Sequence, residues 1–421
     1  MIKFNWSRTV FSVTILCAAI LGISALSSAQ AINPVEQQIA LPGSPFAAIT
    51  SLDGRYVFVS MGMAYDGVAV IRQKKIFAFP VQMIATCGPA FGMAMSKGGR
   101  YLLVTVQNSK SCPYGGVQFI DVQKAIAGDP GAAMGTVPTD NSAIEVAISP
   151  DNKLVFVANE FSGGQTCATP DTVSVINFKQ ALSTGQDASS VIATIPVDCA
   201  PVGLAVSADS RFLYITNETA LPTRPFYDEN ACDLPDQSMG CPVTTSKGPG
   251  GTLTVVHIHE AGKNSAFPVV ADIPAGCSPT RVILTNHDKV AWVSAREEND
   301  LRAFDTRDIL TNSTNPSDAL MSIVPVGIKP DGAQPFFHRQ LMAVANTNRN
   351  DNCPGAHGTV NILNLAPLKT GGGAATVGTF DVGVFPRQWI LSPNGKFLYL
   401  TEFGSHTLDI FPVSSIVDQI Q

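Results

Sequence analysis

Apolar and polar positions along the chain follow one ten-residue pattern that recurs seven times. A small polar residue opens it, a turn and a basic residue follow, and alternating apolar residues run to a final Ser, Thr or Ala. The copies are Ser51–Ser60, Ser96–Thr105, Ser149–Ala158, Ser207–Thr216, Thr285–Ser294, Phe336–Ala345 and Ser392–Thr401, spaced by 45, 53, 58, 78, 51 and 56 residues. Each reads as a β-hairpin, because an Asp/Asn-Gly type turn separates an apolar run from a β-rich one. The preceding strand is visible at Phe46–Thr50, Gly92–Met95, Val146–Ile148, Leu204–Val206 and Val282–Leu284. A third strand follows each hairpin, as at Gly116–Asp121 and Thr252–His257, and a fourth at Ala188–Pro196, Pro268–Ile273, Ala319–Val326 and Ala375–Val382. Four antiparallel strands in about 40–55 residues make one propeller blade. The chain is therefore expected to be all-β, a single seven-bladed β-propeller over residues 32–421. The seventh copy runs out of chain after three strands, so Val35–Leu41 is expected to supply its outer strand and close the ring.

Composition narrows the class. The chain has 421 residues, 45% hydrophobic and 14% charged, with 35 Gly, 29 Pro and a net charge of −6. High apolar content with small net charge excludes disorder, and the lack of basic runs argues against nucleic acid as a partner. Lys3 and Arg8 precede an apolar run, Val10–Leu26, and Ala29-Gln30-Ala31 forms a small-x-small cleavage site. Residues 1–31 thus read as a signal peptide with Ile32 as the first mature residue, against the alternative of a retained anchor. The mature chain shows no further membrane span and is expected to be exported, as a monomer. It keeps eight cysteines: Cys87, Cys112, Cys167, Cys199, Cys232, Cys241, Cys277 and Cys353. An even number in an exported chain points to disulfides, and no C-x-x-C pair suggests a metal or haem. Cys87–Cys112 and Cys167–Cys199 are the expected pairs. Cys232–Cys241 with Cys277–Cys353 is one completion, and Cys241–Cys277 is an alternative.

The repeat resembles that of the YVTN family of seven-bladed propellers, whose blades read roughly S-P-D-G-x-x-L/V-Y-V-T/A-N. The resemblance is fullest at Ser149–Asn159, Ser207–Asn217 and Ser392–Thr401 and covers nearly the whole mature chain. The last blade, from Pro386-Arg387 to Phe411, is similar to that of lactonase-like propellers related to 6-phosphogluconolactonase. A shared fold does not transfer an activity.

Superposing the repeats places ionisable residues on one loop face. Glu145, Arg281 and Arg387 stand at the start of strand one, and Glu160, Glu218, Arg296 and Glu402 stand just after strand two, with Arg349 nearby. Two arrangements follow from these residues. In one, carboxylates on blades 3 and 4 face arginines on blades 5 and 7 across a polarised mouth that holds an anionic group. In the other, the same residues satisfy turn amides and one another. His257 and His259 share a strand face but lack a completing ligand set, so no metal is expected, and no cofactor signature is present. The insertion at about 219–251 in blade 4 is expected to form an ordered flap. Together these features point to a binding or scaffold protein that takes a small molecule or a protein at its loop face. The alternative is a lactonase-like hydrolase of an anionic sugar lactone or cyclic ester.

Overall fold

The computed structural model describes residues 29–420 apart from 35, 75–76, 141, 165–166, 236–244, 259–266, 312–315, 349–355 and 371–372. Seven four-stranded antiparallel sheets stand around a central channel. Strand one of each blade lies innermost: Ser44–Thr50, Ala90–Met95, Ala143–Ile148, Cys199–Val206, Pro279–Thr285, Pro330–Phe336 and Pro386–Leu391. Blade 7 takes its fourth strand from Gln37–Ala40, which pairs antiparallel with Thr407–Pro412. The expected closure is therefore present. A second N-terminal strand, Gln30–Ala31, pairs in parallel with Gly378–Thr379 on the outer edge of blade 6, so the last residues assigned to the leader also meet the fold.

The repeated residues explain why each hairpin forms. The opening serine turns its Oγ back to accept the backbone N–H five residues on, at 3.0 Å from Tyr56, Tyr101 and Leu154 and 2.9 Å from Phe212 and Phe397. Gly54, Gly99, Asn152, Ser210 and Gly395 occupy the left-handed region at the turn, with φ between 60° and 69°. There Gly and Asn are tolerated best.

The last residue of the repeat links blades to one another. Ser60, Thr105, Thr216, Ser294 and Thr401 donate to the carbonyls of Phe91, Ile144, Thr280, Asp331 and Phe46, each in the next blade. The Thr401–Phe46 bond, at 3.3 Å, joins blade 7 to blade 1. Blades 3 and 6 carry Ala158 and Ala345 at this position. Between the sheets, apolar strand faces form the core, with Phe58, Phe119, Phe156, Trp292, Tyr399 and Phe411 fully buried.

Among the described residues, four short α-helices follow strand three of blades 2, 3, 5 and 7: α1 (Val122–Ala127), α2 (Phe178–Thr184), α3 (Thr306–Thr311) and α4 (Val413–Ile420). The strand pattern did not foretell them. Asp121 and Asn177 cap α1 and α2 with their side chains, and Gly128 and Gly185 end them in the left-handed conformation.

Three disulfides join described residues. Cys87–Cys112 and Cys167–Cys199 form as expected, with Cα atoms 5.0 and 5.6 Å apart. The third corrects the expectation: Cys232 pairs with Cys277, not with Cys241. In the insertion, Cys232–Pro235 and Thr245–Gly248 form a hairpin that sets Cys232 opposite Gly248. That placement brings its sulfur to the blade 4–5 connection. Cys241 and Cys353 lie outside the described residues. Three bridges suit an oxidising environment, and no described helix is long and apolar enough to cross a membrane.

Candidate functional site

Strand one carries a register shift in every blade, between Pro45/Ala48, Ala90/Met93, Ala143/Glu145, Pro201/Gly203, Pro279/Val282, Pro330/Ala333 and Pro386/Trp389. A bulge re-aims side chains, and here it directs two consecutive positions at the channel. The first, five residues before the repeat begins, is Phe46, Phe91, Ile144, Val202, Thr280, Asp331 and Arg387 around the ring. All seven line one cavity of about 730 Å³ on the loop face. The second position is Ala47, Gly92, Glu145, Gly203, Arg281, Gly332 and Gln388. Large and small residues alternate there because the long side chains cross in front of their neighbours. A Cβ at Gly92 would collide with the Glu145 carboxylate.

The long members of this second ring form an ionic waist. Arg281 Nη1 donates to Glu145 Oε2 at 2.5 Å and to the Val202 carbonyl at 3.3 Å, spanning blade 4. Arg281 Nε lies 3.2 Å from Asp331 Oδ1, and Arg387 Nη2 lies 3.4 Å from Asp331 Oδ2. Below the waist, Glu145, Arg281 and Gln388 also line a second cavity of about 670 Å³. Burial pushes the Glu145 carboxyl up against the pull of Arg281. Burial lowers Arg281, but Asp331 and Glu145 outweigh it and the guanidinium ends raised. At the rim, Arg296 grips Glu218 in a two-pronged pair at 2.9 and 3.0 Å and lies 3.3 Å from Glu297.

The mouth is thus not polarised with carboxylates facing arginines across open space. Glu145, Glu218, Arg281, Arg296 and Arg387 are brought together, but as ion pairs closed on one another and on Asp331. Glu160 reaches the cavity rim. Arg349 and His259 lie outside the described residues, and His257 packs edge-on against Phe212 on blade 4.

Glu402 leaves the mouth altogether. In blades 3, 4 and 6, the residue ending strand two is an Asn that donates to two polar side chains of strand three: Asn159 to Thr172 and Ser174, Asn217 to Thr252 and Thr254, Asn346 to Thr359 and Asn361. Blade 7 keeps the register but replaces the ladder with Glu402, Thr407 and Asp409. Two buried carboxyls in contact cannot both ionise cheaply. They hydrogen-bond to each other, and burial together with Glu402 pushes Asp409 up to about 8. Gln38 of the closing strand donates to Asp409 at 3.2 Å.

Two further features were not among the sequence candidates. One is Asp331, five residues before the Phe336–Ala345 copy, whose opening lacks the usual small polar residue. The other is an aromatic wall. Phe46 and Phe91 pack edge-on with centroids 4.9 Å apart, Phe385 and Phe403 lie 5.2 Å apart, and Phe161 stands at the rim with 43% of its surface exposed. Gly62 sits between Phe91 and Phe403, where a Cβ would come 2.8 Å from the Phe91 ring. The first-ring position offered a signal for this wall, since its residues run from aromatic and aliphatic in blades 1–4 to polar in blades 5–7.

The described part of the insertion is pinned to blade 4. Arg224 pairs with Asp198 at 2.7 Å and Asp272 at 2.8 Å, and burial pushes Asp272 up to about 6.

Solved propellers share this architecture. The chain superposes on the hydrazine synthase of Kuenenia stuttgartiensis with 16% identity over 88% of this chain and 84% of that one, at a TM-score of 0.51. A functionally unknown protein from Desulfotomaculum acetoxidans DSM 771 matches with 14% identity over 84% and 92%, at 0.58. The C-terminal WD40 domain of Sif2 matches with 10% identity over 92% and 99%, at 0.55. These likenesses show the fold. No protein-family model and no curated protein sequence matches the chain.

Proposed function

We propose that the protein is an exported, disulfide-stapled propeller that works by binding, with the cavity on its loop face as the binding site. One observation carries the reading: all three arginines that line the cavity are held in ion pairs, while the aromatic wall of the same cavity leads out to the exposed ring of Phe161. The cavity's volume suits a drug-sized molecule, and a wall of rings offers large contact area at small entropic cost. A hydrolase of anionic lactones would want an arginine and a carboxylate turned toward the substrate. Here Arg296 and Glu218 hold each other instead.

The test is a thermal-shift screen of amphipathic small molecules on the purified mature protein, with hydrolysis of a lactone panel followed in parallel. The expected result is a ligand that raises Tm, with no turnover of any lactone. Turnover that Glu218→Gln abolishes in a still-folded protein would replace the binding reading with a catalytic one.

A further inference from the structure

We infer that the loop-face cavity is built for an organic cation with a flat apolar body, such as an aromatic amine or quaternary ammonium compound. The inference rests on the binding reading above and assigns the ligand class of the same site.

Three observations lead there. The first is the wall itself: five phenylalanines, Phe46, Phe91, Phe161, Phe385 and Phe403, line one side of the cavity. Phenylalanine faces carry negative quadrupole density and no hydrogen-bonding group, so they favour cations and hydrocarbon over anions. The second is that this wall already receives a cation. The Arg387 guanidinium lies 3.9 Å from the Phe46 centroid, 5.4 Å from Phe385 and 5.9 Å from Phe403. The chain's own arginine thus fills the inner end of an aromatic cage, and the outer end, toward Phe91 and Phe161, continues the same surface to the rim.

The third observation is charge. Four carboxylates, Asp66, Glu160, Glu218 and Asp331, line the cavity against three guanidiniums, Arg281, Arg296 and Arg387. All three guanidiniums are within ion-pair distance of carboxylates, Arg281 of Glu145 as well as Asp331. An anion entering the cavity would have to compete with these pairs and would meet the excess carboxylate. A cation meets a favourable field and gives up less solvation to a polarisable wall. Whole-chain charge has the same sign, at −6, and steers cations to the surface.

Calorimetric titration at low salt with three probes of one shape tests the assignment: benzyltrimethylammonium, benzyl alcohol and phenylacetate. The cation is expected to bind about tenfold more tightly than either of the others. Phe161→Leu, which keeps an apolar side chain and removes the ring, is expected to weaken the cation about fivefold while leaving benzyl alcohol nearly unchanged. Because Phe161 is a rim residue, its variants should keep the wild-type Tm, so any loss reads as recognition. No detectable cation binding, or cation binding indifferent to Phe161→Leu and to a second variant, Phe91→Leu, would overturn the assignment. Tighter phenylacetate would also overturn it, yet would leave the binding reading standing; that reading falls only to turnover.

Discussion

The two sides of the channel mouth draw on the same few positions of the repeat and their neighbours, and use them in opposite ways. On blades 4–6 the side chains are Glu218, Arg296, Arg281 and Asp331, and each is spent on another. On blades 7 and 1–3, Phe403, Phe46, Phe91 and Phe161 line the cavity, and Arg387 lies over the Phe46 ring. Charged residues converging on a propeller channel resemble chemistry until their partners are known. Once paired, they fix the spacing of blades, and the neighbouring apolar half carries the open surface.

Arg281→Ala is the strongest way to break the charged half. It leaves Glu145 buried without its ion-pair partner, while Asp331 keeps Arg387. The loss costs about 3–5 kcal/mol and is expected as a large drop in the urea midpoint. Glu145→Leu combined with Arg281→Met removes both members of the closest pair and leaves Asp331 to Arg387. The double variant should therefore be less destabilised than Arg281→Ala, and a simple sum of losses would contradict the pairing.

Next in size is the effect of pH on the ring closure. Asp409 has its carboxyl raised to about 8 by burial and Glu402, above its unfolded value near 3.8. The native state then holds a proton that the unfolded chain releases. This contribution is full below about pH 4 and is lost as pH rises toward 8. Tm should fall over that interval. Asp409→Asn imitates Asn361 of blade 6, so it should flatten the slope and stabilise the protein at pH 8.5 by at least about 1.4 kcal/mol, one pKa unit. A slope unchanged by Asp409→Asn would assign the pH effect to other groups.

The smallest effect belongs to the aromatic half. Phe161→Ala removes a half-exposed rim side chain and should change stability by less than about 0.5 kcal/mol. A much larger loss by chemical denaturation would mean that this half, too, is structural.

These contrasts mark what was legible in the sequence. The seven hairpins, the Val35–Leu41 closure and two disulfides followed from turn chemistry and strand alternation, which are local. The bulge in strand one is not local. It turns two adjacent residues to the channel, so a strict alternation cannot say that Phe46 and Ala47, or Thr280 and Arg281, both face inward. Ion pairing is equally hidden, because Glu145 and Arg281 are 136 residues apart and meet only across blade 4. Glu402 aligned with the mouth candidates, yet its blade turns it away from the channel toward Asp409. The sequence partner of Glu402 was readable two residues beyond Thr407, by analogy with Asn346 and Asn361. Cys232 found Cys277 because a hairpin within the insertion turned it back to the blade, a fold that spacing alone does not encode.

On the proposed reading, the ionic waist holds the mouth together while the aromatic wall recognises the ligand. Its most direct test is titration of benzyltrimethylammonium into the Glu145→Leu/Arg281→Met double variant, beside Phe161→Leu. The double variant leaves the net charge unchanged. A folded double variant is expected to bind the cation within about threefold of the wild type, and Phe161→Leu about fivefold more weakly. A folded double variant that has lost the cation, with Phe161→Leu binding normally, would place recognition in the ion pairs instead of the aromatic wall.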